Sequence, residues 1–145
     1  MMLEKMLKTF QKLRLEFYRK IFTRVRDGSL SAMEVFSLEI IYALGRPTIG
    51  QFARFIGISQ SNATYKVNSL MKKGYIIRQP SQEDGREYNL ELSEKFYGYS
   101  DMLEENVRTI TRNVLEQLTP EEIAVIDKAA DILNKELDAR AGLRD

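Results

Sequence analysis

The sequence predicts a mainly α-helical fold with one small β-hairpin. Three observations carry this. Apolar residues recur at steps of three and four along most of the 145 residues. Polar and apolar residues alternate strictly through Glu87, Tyr88, Asn89, Leu90, Glu91 and Leu92. Capping residues, glycines and prolines stand at the joints between the periodic stretches.

Taken in order, Leu3, Met6, Phe10, Leu13, Phe17 and Ile21 form the stripe of a first helix that ends near Asp27 and Gly28. Ser31-Ala32-Met33-Glu34 has the form of a capping box and opens a second helix, closed by Gly45 and Pro47. Ile49, Phe52, Ala53 and Ile56 make one face of a short third helix that starts after Thr48 and stops at Gly57. A fourth runs from about Ser59 to Lys73, with Ala63, Val67, Leu70 and Met71 on its inner side and Gly74 at its end. Tyr75 to Gln79 reads as a strand, Pro80 to Gly85 as a polar turn, and residues 87 to 92 as the returning strand. Ser93 is expected to cap a long helix bearing Phe96, Tyr99, Leu103, Val107, Ile110 and Val114. Thr119-Pro120-Glu121-Glu122 is a second capping box, followed by Ile123, Ile126, Ala130, Leu133 and Leu137. There is no internal repeat and no low-complexity linker.

The formal net charge is +1, from 22 basic and 21 acidic side chains, with no His, Cys or Trp. Without His and Cys the usual nitrogen and sulfur metal ligands, the Cys nucleophile, the His base and any disulfide are gone together. No cofactor and no metal are expected. Glycine-rich phosphate loops and Gly-x-Ser-x-Gly are also missing, and Glu121 and Glu122 are explained by the helix N-terminus they sit on, so the reading is that this is not an enzyme. The longest apolar runs fall well short of the roughly 18 residues a membrane span needs, and Glu4, Lys5 and Lys8 stand near the N-terminus, so a cytoplasmic protein is expected.

The near-zero total hides an uneven distribution. Residues 1 to 30 carry +5, 31 to 45 carry −2, 46 to 95 carry +3 and 96 to 145 carry −5. From Arg46 to Gln82 there are six bases (Arg46, Arg54, Lys66, Lys72, Lys73, Arg78) and no acid. The third and fourth helices, with the Gly57-Ile58-Ser59 turn between them, have the layout of a helix-turn-helix, and the hairpin behind them that of a wing. Charge and pattern therefore mark the same elements.

A helix that reads DNA keeps one face apolar, to sit on its domain, and the other polar, to reach base edges in the major groove. On the fourth helix the outward set is Gln60, Ser61, Asn62, Thr64, Tyr65, Lys66, Asn68 and Ser69, without one carboxylate. Gln and Asn suit adenine, Thr and Tyr the thymine methyl, and Lys66 a guanine or a phosphate. Arg54, Lys72, Lys73 and Arg78 are candidates for phosphate contacts, which set affinity and salt dependence without reading sequence. Lys72 and Lys73 are equally accounted for as cations favouring a helix C-terminus.

These stretches resemble the MarR (multiple-antibiotic-resistance regulator) family of winged-helix transcription factors. The likeness runs from about residue 4 to 138. It rests on Phe52-Ala53 through Gly57-Ile58-Ser59 to Leu70-Met71-Lys72-Lys73-Gly74-Tyr75-Ile76-Ile77-Arg78, on Asp84-Gly85-Arg86 with Leu90-Glu91-Leu92-Ser93, and on Leu115 to Glu122. Tyr65 stands where members often have Arg, Gly85 where they often have a charged residue, and Ser93 in place of a common Thr. The resemblance implies one domain over 1–145, with a winged helix-turn-helix at 31–92 and dimerisation helices at 1–28 and 93–140. It implies a homodimer on double-stranded DNA with an inverted-repeat operator, half-sites about one helical turn apart. Arg86 would enter the minor groove, steadied by Asp84. Many members are repressors released by a small ligand held between the dimer and DNA-binding parts; Tyr18, Phe22, Phe36 and Tyr42 are the candidates for such a pocket, core packing being the other reading of the same rings. The competing function is a winged helix that binds protein or RNA and no operator.

Overall fold

Cap chemistry decides where most of the helices begin and end. The computed structural model describes residues 1–27, 29–80 and 88–141. Its elements are α1 (Met2–Asp27), α2 (Ala32–Leu44), α3 (Ile49–Ile56), α4 (Gln60–Lys72), β1 (Ile76–Pro80), β2 (Tyr88–Leu92), α5 (Glu94–Leu115) and α6 (Pro120–Ala141). The Ser31 hydroxyl accepts from the Glu34 amide and the Glu34 carboxylate accepts from the Ser31 amide, both at 3.2 Å, which closes the box before α2. Thr48 and Gln51 make a further box at the start of α3, and Thr119 and Glu122 make one at α6, with Pro120 in the first helical position.

Pro80, expected in the turn, is the last residue of the first strand, and two further junctions depart from the sequence reading. The first strand begins at Ile76 because Tyr75 still belongs to the end of α4: Gly74, at φ +82, donates to the Met71 carbonyl, and the Tyr75 amide reaches back to Leu70 at 3.0 Å. This is a Schellman closure, and both Tyr75 and Leu70 are buried, supplying its usual apolar contact. Ser93 does precede α5, and its carbonyl accepts from Phe96, but its hydroxyl is no cap. It donates to the Gly74 carbonyl, tying the start of α5 to the end of α4.

The strands pair antiparallel, with Ile76 opposite Leu92 and Arg78 opposite Leu90. On its other side β2 is fastened to the α2–α3 connection. The Leu90 amide donates to the Pro47 carbonyl at 2.8 Å, Asn89 donates to the Arg46 carbonyl, and Thr48 bridges to Asn89. The chain divides into two units, Met1–Ser100 and Asp101–Asp145.

In the first unit the core is one cluster. Val35, Leu38 and Ile41 of α2, Phe52 and Ala53 of α3, and Ala63, Val67 and Leu70 of α4 meet Ile76, Leu90 and Leu92 of the hairpin, Ile21 of α1 and Phe96 of α5. Each large side chain so buried contributes about 1.5–3 kcal/mol, enough for a small domain to hold three short helices in fixed relation. α1 adds Phe17 against Phe36 of α2, ring centres 6.0 Å apart, and a buried ionic knot. Arg24, 5% exposed, pairs with Glu39 at 2.9 Å, and Lys20 lies 3.2 Å from the same carboxylate oxygen. The guanidinium also lies over Phe96, 4.7 Å from its centre. Burial lowers the Arg24 pKa from its usual value and the Glu39 carboxylate works against that.

In the second unit Val107, Ile110 and Val114 of α5 and Val125, Ile126, Ile132, Leu133 and Leu137 of α6 are exposed. α1 likewise exposes Leu3, Met6, Leu7, Phe10 and Leu13. No helix among the described residues is long and apolar enough to cross a membrane.

Candidate nucleic-acid interface

Helix α4 is presented by the core beneath it. Ala63, Val67 and Leu70 are fully covered, so the opposite side of the same helix must face outward. At its N-terminus the Ser59 hydroxyl accepts from the Asn62 amide at 3.2 Å. Gln60, Ser61 and Asn62 are exposed in the first turn, where the helix dipole presents partial positive charge. Thr64, Lys66 and Ser69 are half-buried, and the Thr64 hydroxyl is occupied by the bond it donates to the Gln60 carbonyl. Tyr65 is 76% exposed, with its ring free of the core. Lys66, Tyr65 and Ser69 also line a shallow cleft of about 200 Å³ against Ser31 and Glu34 at the start of α2.

The six bases of the acid-free window separate into two groups. Arg54 of α3, which donates to the Gly50 carbonyl within its own helix, Lys66 and Lys72 meet no carboxylate among the described residues. The other three are engaged by partners elsewhere in the chain. Arg46 pairs with Glu91 at 3.3 Å. Lys73 donates to the Ser29 carbonyl at 2.9 Å and to the Glu34 carboxylate at 3.0 Å, which joins the end of α4 to the start of α2. Burial alone would raise the Glu34 pKa, but the hydrogen bonds from Lys73 and Ser31 outweigh it and hold the carboxyl below its usual value. Lys95 of α5 in turn donates to the Lys73 carbonyl, capping the C-terminal end of α4. Arg78 donates to the side-chain oxygen of Asn68 at 2.8 Å and lies over the Tyr88 ring. No sequence signal marked these three, because each partner lies 10 to 45 residues away.

The proposed wing pair, Asp84 and Arg86, lies outside the described residues. The four ring candidates do not form one group. Tyr18 and Phe36 gather around Phe17, Tyr42 packs on Phe96 and Tyr97, and Phe22 is 76% exposed.

A helix-turn-helix with an acid-free outer face, backed by an antiparallel hairpin, is the geometry of a winged DNA-binding domain. Comparison with known proteins agrees. The family model described as MarR family matches residues 30–88. The HTH-type transcriptional regulator YwhA of Bacillus subtilis (strain 168) is 33% identical over 99 residues, covering 66% of this chain and 71% of its own. The chain belongs to the MarR family.

Solved structures extend the likeness of fold to the whole MarR-type architecture. A MepR mutant from a multidrug resistant S. aureus clinical isolate has a TM-score of 0.64 at 16% identity, over 89% of this chain and 94% of that one. FabT of Streptococcus pneumoniae, solved in complex with DNA, has a TM-score of 0.52 at 23% identity, over 90% and 98%. As a MarR-family member the protein is a winged-helix transcriptional regulator.

Proposed function

We propose that this MarR-family regulator is a homodimeric repressor that reads an inverted-repeat operator through α4 and releases it when a small ligand binds. The observation that carries the reading is the two-sided character of α4: an inner face fully buried in the core and an outer face with no carboxylate. Gln60, Ser61, Asn62, Thr64, Tyr65, Lys66 and Ser69 form the base-facing set, and Arg54, Lys72 and Arg78 the cations around it. Arg86 and Asp84 complete it at the wing. The winged part spans 31–92, and the helices at 1–28 and 93–140 form the dimer within a single domain over 1–145. Exposed apolar side chains on α1, α5 and α6 support that pairing, since faces of this kind are buried by a second copy in helical dimers. Of the four ring candidates for the ligand, Tyr18, Phe22, Phe36 and Tyr42, only Tyr18 and Phe36 come together, around Phe17. The protein works in the cytoplasm, without catalysis.

The test removes Lys66 and Arg86 together. Duplexes are first selected from a random pool with the parent protein, then bound at several salt concentrations by the parent and by K66A/R86A, whose fold is checked by circular dichroism. Every cation withdrawn from a phosphate should reduce the slope of log K against log[salt] by about 0.9. Unchanged affinity and slope in the double variant would sink the DNA-reading assignment.

A further inference from the structure

The register of the wing places a charge where the pattern calls for an apolar residue. Ile76 and Leu92, paired across the hairpin, are both buried, and the next pair on that same face is Arg78 with Leu90, of which Leu90 is fully buried. Ile77, on the opposite face, is 46% exposed. Arg78 therefore points inward toward α4, half-buried, while an aliphatic residue points to solvent. Its head is held from two sides, by the Tyr88 ring 5.8 Å from the guanidinium carbon and by the oxygen of Asn68 at 2.8 Å.

Asn68 is exposed on α4, one turn beyond Thr64 and one before Lys72. A guanidinium has donors only, so the Asn68 carbonyl oxygen must face it and the amide nitrogen must lie on the other side. An unrestrained Asn rotates its amide and offers either donor or acceptor to a base edge, and so tolerates more than one base pair. One clamped by arginine offers a single pattern.

We propose that Arg78 is a positioning residue for sequence readout: it fixes the Asn68 carboxamide on the recognition helix, so that Asn68 discriminates one base pair in each half-site. The proposal rests on the reading of α4 as the DNA-reading helix. Arg54 and Lys72, both exposed, are suited to phosphates; Arg78 acts through its neighbour. Wing and recognition helix then read that position as a unit.

The test compares the full-length parent with N68A, R78M, R78K and N68A/R78M. Each is used to select duplexes from a random pool and is then titrated against salt, with thermal melts to confirm folding. Met keeps the length of the stem, Lys keeps the charge without the planar fork, and N68A alters only an exposed side chain. R78M and N68A should lose preference at the same base position, by about 5-fold to 100-fold in the ratio of best to next-best base. The double variant should lose no more than either single one, R78K should fail to restore the preference, and the salt slope of R78M should match the parent. A fall of about one in the R78M slope, with all sequences weakened alike, would make Arg78 a phosphate-binding cation and overturn the proposal. Loss of preference at a position N68A does not affect would overturn it too. A parent protein that enriches no sequence from the pool overturns the DNA-reading assignment itself, which is a different result from either.

Discussion

Replacing Glu39 by Ala should unfold the protein far more readily than its position on the second helix suggests. Glu39 stands between two cations, 2.9 Å from Arg24 and 3.2 Å from Lys20, with only 11–12% of the Glu39 and Lys20 side chains exposed and 5% of Arg24. Taking the carboxylate away leaves the Arg24 guanidinium desolvated, and beside a like charge. Breaking a buried pair from one side costs about 3–5 kcal/mol. Since the knot still touches solvent at its edge, about 3 kcal/mol is expected, or roughly 6–12 °C in Tm for a chain of this size. The packing of Arg24 on Phe96 survives the change and does not offset it. Exchanging both partners, in R24M/E39Q, removes both charges of the Arg24–Glu39 pair while keeping an acceptor for Lys20, and should recover at least about 2 kcal/mol of the loss. Urea unfolding followed by far-ultraviolet circular dichroism measures this, with all variants at one concentration because association adds to apparent stability. If E39A stays within about 0.5 kcal/mol of the parent, or if R24M/E39Q is no more stable than E39A, the knot does not hold α1 to α2 as argued.

Two other outcomes are expected. Glu34 is held below its ordinary pKa by Lys73 and Ser31, so the unfolded chain takes up its proton first. The stabilisation is complete above the unfolded value of about 4.3 and is lost as pH falls through the lower, folded value. The stability difference between the parent and K73M, about 1 kcal/mol at pH 6, should therefore shrink toward pH 3 to what the Ser29 hydrogen bond contributes; urea midpoints that keep a constant gap contradict it. Gly57 sits at φ +72 with nothing within 4 Å of an added Cβ, so G57A should cost about 1 kcal/mol from backbone strain alone. A loss above about 2 kcal/mol in thermal melts would mean that α3 and α4 shift.

What the sequence made legible was local. Ser31 with Glu34 and Thr119 with Glu122 lie three residues apart, so the chemistry that starts α2 and α6 can be read from neighbours. The inner and outer faces of α4 follow from period alone. What stayed hidden depends on register and on approach between distant segments. Ser93 looked like a cap, yet its hydroxyl is claimed by Gly74, 19 residues away. The partners of Arg46, Lys73 and Arg78 could not be read along the chain, and only folding shows that Glu91 and Glu34 pair with two and that Asn68 engages the third. Along the chain Arg78 reads as a candidate phosphate contact, because no sequence pattern shows that its guanidinium is held by Asn68 and Tyr88.

The fastening of β2 to residues 46–48 makes the base of the wing part of a lever. Pro47 and Arg46 hold the strand on one side while Thr48, the next residue, begins α3 with its own capping box. The strand base cannot tilt without carrying the first turn of α3, and α3 in turn carries the turn that aims α4. A displacement imposed at the end of α2 is therefore delivered to α4 and the hairpin together, as one angular change rather than two independent ones.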